Sequence, residues 1–267
     1  MSLEALNTEE LRQRYLVERL FAPGEIVTVA TDLDRLTIGG AMPLAPLHYE
    51  PGPNRETGVL NLGGTADIEA GGARYTLDHL DCLYIGSDVK TITFHPAHGG
   101  HPALYFATCP AHRAMPTGKL SLAEAEAAHI GDASHASQRT IRKFICPGKL
   151  ESCQLVMGFT ELDSGSIWNT MPAHTHIRRS EIYLYFDLGE GMVIHLMGKP
   201  EATRHLIVRE RQAVLSPSWS IHTGAGTTAY RFAWVMAAEN REFADIVPVA
   251  TATPSGLVKP LASVVKP

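Results

Sequence analysis

The sequence predicts an all-β protein built from two antiparallel barrel or jelly-roll domains with short flanking helices. Three observations carry this expectation. Short strand-like runs recur at fairly regular spacing, broken by Gly, Pro, Asn and Asp, as in Gly39-Gly40, Gly63-Gly64 and Gly71-Gly72. Helix-start signals are few. The chain has 267 residues, enough for two modest cores, and a polar stretch, 111–139, divides the strand runs into two clusters.

Taken in order, Asn7-x-x-Glu10 is a capping-box pattern ahead of Leu11, Tyr15 and Leu20, so a helix is expected near residues 8–20. The first cluster of strands is expected at 25–30, 35–38, 58–62, 80–85, 90–94 and 103–108. Ser121-x-x-Glu124 opens a second short helix, expected at 122–128. The second cluster follows at 140–145, 154–162, 181–186, 192–197, 204–208, 212–215 and 230–237. The division is placed at 125/126, giving an N-terminal domain 1–125 and a C-terminal domain 126–267. Residues 251–267, rich in Pro, Ala and Val without clear period, read as a tail on the surface or against a neighbour.

Apolar residues make up 45% and charged residues 19%, with a net charge of −5 that does not cluster. This is a globular balance without the basic stripe of a nucleic-acid binder. No apolar run approaches the ~20 residues that span a bilayer, and residues 1–15 lack an apolar signal core, so a soluble cytoplasmic protein is expected. Cys82, Cys109, Cys146 and Cys153 form no CxxC pair and read as free buried thiols. Thirteen histidines direct attention to a metal site or to acid–base chemistry.

The informative segment is Met171-Pro-Ala-His-Thr-His-Ile-Arg-Arg-Ser-Glu181. Side chains at i and i+2 share one face of a strand, so His174 and His176 point the same way. Glu181, five residues on, has the wrong parity for one straight strand. Residues 177–180 must therefore bend and deliver Glu181 from the following strand. Alternation then places Glu181, Tyr183 and Tyr185 on one face and Ile182, Leu184 and Phe186 on the other. A third imidazole is expected from His222, in Ser216-Pro-Ser-Trp-Ser-Ile-His222. Three His and one Glu suit zinc, manganese, iron(II) or nickel(II). No HExxH helix is present, which argues against a zincin protease.

His-x-His-x4-Glu followed by Pro-x-Trp-x-x-His resembles the two motifs of the cupin superfamily. Gly165 departs from that pattern, because it lies further before the first His than is usual. More specifically, the chain resembles the 5-keto-4-deoxyuronate isomerase family, the 4-deoxy-L-threo-5-hexosulose-uronate ketol-isomerases. The resembling stretches include Asp34-Arg-Leu-Thr-Ile-Gly-Gly-Ala-Met-Pro43, Cys153-Gln-Leu-Val-Met-Gly-Phe-Thr-Glu161, Ile167-Trp-Asn-Thr-Met-Pro172, Glu201-Ala-Thr-Arg-His205 and Ser216–His222, and together cover most of 10–245. The resemblance implies a bicupin whose N-terminal half lacks the metal motif. It implies one zinc per chain held by His174, His176, Glu181 and His222, and a homo-oligomer, a hexamer. The activity implied is conversion of 5-dehydro-4-deoxy-D-glucuronate to 3-deoxy-D-glycero-2,5-hexodiulosonate in pectin or uronate breakdown.

Such an aldose–ketose interconversion moves a hydrogen from C2 to C1. A Lewis-acid metal that polarises the carbonyl and stabilises a cis-enediolate makes it feasible, with a positioned group moving the proton. Tyr183, Tyr185, His205 and Glu239 are the shortlist of proton carriers. A hydride shift is an alternative route. Arg178, Arg179, Arg204 and Lys199 are candidates for the substrate carboxylate, Arg being favoured by its planar fork. Trp168, Trp219 and Trp234 read as core or cavity wall rather than catalytic groups, with Trp168 and Trp219 as candidate substrate contacts. His95, His98 and His101, set among Gly and Pro, read as a solvated loop rather than a second metal site. Two other classes fit the same motifs: a cupin metal-dependent dioxygenase, and a non-catalytic sugar-binding cupin.

Overall fold

The computed structural model describes residues 3–238, 241 and 245–249. Among these residues the fold is all-β and antiparallel, with five sheets and little helix. A six-stranded sheet runs in the order 118–120, 82–85, 55–61, 104–110, 37–41, 26–30. A seven-stranded sheet runs 16–17, 213–216, 181–186, 231–237, 155–162, 139–145, 126–130. A four-stranded sheet (47–49, 92–97, 66–70, 73–77) covers the outer face of the first. A three-stranded sheet (202–208, 193–199, 221–226) covers the outer face of the second. The fifth sheet is the short pair 174–176 and 246–248.

Three cores separate these layers. Between the two large sheets, Leu60, Tyr84 and Tyr105 of one meet Met157, Ile182, Leu184, Phe186 and Val235 of the other. Because both large sheets are covered on both faces, Arg55–Asn61, Leu104–Pro110, Leu155–Leu162 and Glu181–Phe186 are buried almost throughout. Alternation sorts the strand Glu181–Phe186 as the sequence implies. Its even positions enter the central core, and Tyr183 and Tyr185 enter the core under the three-stranded sheet. Gly58 lies at the contact of the large sheets, where a Cβ would meet Ile145, Leu155 and Met157 at 2.6–2.9 Å.

One buried carboxylate ties the two large sheets together. Glu56, fully buried, accepts from the backbone N–H groups of Cys153, Gln154 and Leu155 at 2.7, 2.6 and 2.7 Å and from the Tyr84 hydroxyl at 2.5 Å. Three backbone donors at the entry to a strand compensate for the loss of water around the charge.

Several local expectations change. The first helix is short, Thr8–Tyr15, and closed at its start by the reciprocal Asn7–Glu10 capping box. The chain then becomes strand at Leu16, because Leu16–Val17 pairs with Ala213–Val214 of the seven-stranded sheet. Residues 3–17 therefore lie with the second half of the chain, although the division at 125/126 assigned them to the first. The helix expected at 122–128 does not form. Glu124 caps Ser121 through its backbone N–H and hydroxyl at 2.9 and 2.6 Å, but Glu126–Ile130 then pairs with Arg139–Ile145. Sheet pairing here overrides a run of good helix formers. The strand expected at 35–38 starts at Thr37, because Asp34 and Arg35 adopt left-handed φ of 50° and 57°. The tail expected at 251–267 lies outside the described residues.

Candidate metal centre

His174, His176, Glu181 and His222 meet where three elements converge. The two-residue spacing on the strand His174–His176 turns both imidazoles one way, the 177–180 bend returns the chain, and Glu181 opens a central strand of the seven-stranded sheet. His222 arrives from the opposite wall, on Ile221–Gly226 of the three-stranded sheet. The 216–220 turn is locked to the histidine strand by His176 N–H donating to the Ser218 carbonyl at 2.9 Å. One ligand atom from each of the four side chains lies within 4.8 Å of the others. His176 Nε2 and His222 Nε2 sit 3.0 and 2.9 Å from Glu181 Oε2, and His222 Nε2 faces His174 Nε2 at 3.1 Å.

The other ring nitrogens face away from the cluster. His222 Nδ1 faces the Ser220 carbonyl at 3.3 Å, and the His174 ring bonds the Pro172 carbonyl. His176 Nδ1 faces Asp245 Oδ2 at 3.4 Å, and Asp245 is held by Arg179 through Nε (3.1 Å) and Nη2 (2.5 Å). Carbonyls that accept from Nδ1 leave lone pairs on the facing Nε2 atoms, and a carboxylate behind a ligating histidine is the usual supporting arrangement at metal sites. Burial, reinforced by His222, pushes His174 down to about 4, so it is neutral at pH 7. Burial alone would raise the Glu181 carboxyl, but the charge and hydrogen bonds of His222 and His176 outweigh it and hold the carboxyl well below its usual range. Burial likewise opposes the charged form of His176, and its bond to Glu181 outweighs that and raises its pKa. Three imidazole nitrogens, each able to present a lone pair once its proton is displaced, and one ionised carboxylate converging in a buried pocket are a donor set that fits a divalent metal.

His174, His176 and Glu181 line a cavity of about 410 Å³, with His222 behind them. Strand register explains its wall. Lys143 pairs with Gly158, Gly158 with Trp234 and Trp234 with Tyr183, so alternate residues from four adjacent strands face the cavity. Gly158 makes room for the indole, since a Cβ there would meet Trp234 at 2.4 Å. Ile141, Phe232 and Met236 complete a largely apolar floor, with Arg139, Thr160 and Thr170 as polar points. Thr170 Oγ1 lies 3.0 Å from Tyr183 Oη. Burial and the Glu181 charge raise Tyr183 well above the usual range, so it stays a neutral phenol.

Of the proton carriers expected from sequence, Tyr183 lines this cavity. Tyr185 shares its face but lies deeper, accepting from Asn169 Nδ2 at 3.1 Å and bonded to buried His195 Nδ1 at 2.7 Å. His205 is exposed on the outermost strand of the three-stranded sheet. Glu239 lies outside the described residues. Among the carboxylate candidates, Arg178 is exposed and lines a separate surface cavity with Asp32, Asp34 and Arg35. Arg179 is committed to Asp245. Arg204 is directed to the Glu4 carbonyl, and Lys199 lies 3.9 Å from Glu4. Trp168 bridges to Ala225 and Trp219 is 43% exposed; neither lines the cavity. His95 and His98 meet Glu69 and Asp67 at 3.1 and 2.8 Å, in a surface network with Arg74 rather than a free loop.

Sequence reasoning missed Arg139, Thr170 and Asp245, whereas Trp234, read from the sequence as core or cavity wall, does line the cavity. Starting the strand at Arg139 instead of Thr140 would have placed Arg139, Ile141 and Lys143 on one face. Asp245 carries no local signal.

The sequence matches the KduI/IolB family model over residues 29–248. It is 48% identical over 261 residues to the 4-deoxy-L-threo-5-hexosulose-uronate ketol-isomerase of Opitutus terrae, covering 92% of this chain and 94% of the relative. It is 45% identical over 258 residues to the protein of that name from Caldicellulosiruptor bescii, covering 92% and 94%. Among solved structures it is similar in fold to an IolB-like protein from Salmonella typhimurium, with a TM-score of 0.75 at 15% identity over 88% of this chain and 96% of that one. It is also similar to the oxalate decarboxylase of Lactobacillus farciminis, with a TM-score of 0.60 at 9% identity over 88% of each chain.

Proposed function

The chain belongs to the KduI/IolB family, and from that premise we propose that it is a metal-dependent ketol-isomerase acting on 5-dehydro-4-deoxy-D-glucuronate to give 3-deoxy-D-glycero-2,5-hexodiulosonate. The observation that carries this reading is the convergence of four potential ligand atoms beside a substrate-sized cavity that three of their residues line, in a chain nearly half identical to relatives named for that reaction.

His174, His176, Glu181 and His222 would hold one divalent metal, zinc in this reading, since that ion polarises oxygen without redox side reactions. When bound, it supplies Lewis-acid polarisation of the substrate carbonyl and charge stabilisation as the proton leaves C2. The protein's own groups do the rest. Trp234, Phe232, Ile141 and Met236 exclude water from the sugar chain and strengthen every polar contact within the cavity. Tyr183, kept neutral and paired with Thr170, holds a proton at its Oη for an oxygen of the substrate. Glu239 stays a proposed proton carrier. Tyr185 and His205 do not, because neither reaches the cavity wall.

Three further readings are proposed on coarser support. A homo-oligomer, a hexamer by family resemblance, is one. A cytoplasmic location is another, favoured by four free buried cysteines. A two-domain division at 125/126, with residues 3–17 crossing to the second unit, is the third. No described helix is long and apolar enough to cross a membrane.

The function is tested by incubating purified protein with the keto-deoxyuronate, with and without chelator, while oxygen is monitored. Isomerisation abolished by chelator and restored by metal, without oxygen uptake, is expected. Oxygen consumption would indicate a dioxygenase, and no turnover by metal-loaded protein would end the isomerase reading.

A further inference from the structure

We propose that Arg139 is the seat for the substrate's carboxylate, and therefore the residue that selects uronates over neutral sugars. The substrate's identity rests on the isomerase reading; the presence of an anion site does not.

Arg139 opens the strand Arg139–Ile145 and lines the cavity that holds the metal cluster. It is 6% exposed. Its Nη1 donates to the Ser137 carbonyl at 2.7 Å and its Nη2 to the Met171 carbonyl at 2.8 Å. These bonds fix the plane of the guanidinium but do not neutralise it. Among the described residues no carboxylate lies within 4.0 Å of it. The neighbouring cations are treated differently. Arg179 is matched by Asp245, Arg142 by Glu161, Arg231 by Glu161 and Asp187, and Lys143, on the same strand face, by Glu126 at 2.7 Å.

A buried charge without a counter-ion is costly. A guanidinium has five N–H donors, and two carbonyls leave it capacity for a bidentate carboxylate. Its anchor at Met171 belongs to the run that continues, through Pro172 and Ala173, into His174. A ligand with a carbonyl at one end and a carboxylate at the other thus meets the metal cluster and Arg139 in one cavity. Anchoring the inert end fixes which end reaches the cluster, which is how binding energy remote from the reacting atoms serves the reaction.

The test uses metal-loaded full-length protein and titration calorimetry with D-galacturonate and D-galactose as probes. Wild type should bind the uronate roughly 10- to 100-fold tighter than the neutral sugar, the scale of a hydrogen-bonded charge. Arg139→Met should bring that ratio near one, Arg139→Lys should keep part of it, and metal content should stay unchanged in both. Should Arg139→Met fail to fold, Arg139→Gln, which keeps a donor for the Met171 carbonyl and loses the charge, gives the same reading. In turnover of the keto-deoxyuronate, KM should rise more than kcat falls. A wild type that binds both sugars equally, or variants that retain the full preference, would overturn the proposal. Turnover by wild type is the separate arm: its absence would remove the isomerase reading while leaving the Arg139-dependent preference to stand or fall alone.

Discussion

Between the six- and four-stranded sheets, Phe106 packs against Tyr49 and Phe94 with ring centroids 4.7 and 5.4 Å apart, and Ile68, Leu77 and Ile92 close the remaining space. On the corresponding face of the seven-stranded sheet, beside the three-stranded one, lie three imidazoles, a carboxylate and a cavity of about 410 Å³ bordered by residues 170–172, 174, 176, 246 and 248. Both outer sandwiches use the same construction, a large shared sheet under a smaller covering one. The first spends its interior on packing density, the second on a polar cluster that apolar neighbours desolvate. The open space lies where the three-stranded sheet leaves its large partner uncovered, and the first half supports it through the central core, Glu56 and Asp34, which accepts from the Ser180 N–H at 2.6 Å in the bend before Glu181.

The sharpest way to break this comparison is to remove a ligand from the second sandwich. Glu181→Ala should lower metal affinity by well over the ~100-fold that loss of a supporting group costs, and turnover by about 10³-fold or more, measured by metal analysis and by product formation. Native-like melting of the metal-free variant would show that the cluster serves chemistry rather than folding. Glu56→Ala attacks the link between the halves. Three backbone donors and Tyr84 lose their acceptor, so unfolding in urea should show a loss of about 3–5 kcal/mol with metal stoichiometry intact. Asp245→Asn tests the support behind His176. Metal affinity should fall by ~10–100-fold, and urea unfolding should show a loss of stability as well, because buried Arg179 loses the Asp245 counter-charge.

The first sandwich has its own acid response. At Asp67 burial raises the carboxyl, but the bonds from Thr76, His98 and Arg74 outweigh it and hold the pKa well below the ~3.9 of an unfolded chain. A depressed pKa contributes stability that is fully present above the unfolded value and is lost as pH falls through that value toward the folded one. Asp67→Asn should therefore flatten the acid limb of urea midpoint against pH below about pH 4, and leave turnover at neutral pH unchanged. The smallest effect is expected at His205→Ala, on the exposed outer strand, where kcat/KM should stay within about twofold.

Legibility in the sequence followed the range of each interaction. The His/Glu cluster was readable because two of its side chains share a strand face, a third follows one bend and the fourth sits in its own short motif. The all-β fold was readable because Gly, Pro and Asn mark the strand ends. Asp245 was not, since its partner Arg179 lies 66 residues away, and neither was Glu56, whose backbone donors begin 97 residues on. For Tyr185 alternation gave the correct face but not the depth, because parity cannot tell a cavity wall from the core behind it. Residues 126–130 carry helix-forming composition and became strand because the edge of the seven-stranded sheet was open to them.

The most direct measurement is a titration of zinc into metal-stripped protein, with bound metal and turnover of the keto-deoxyuronate followed together. One ion per chain is expected, with turnover rising in proportion to occupancy and ending at the same equivalence point. Full turnover by the metal-free protein, or zinc bound at one per chain without any turnover, would contradict the account.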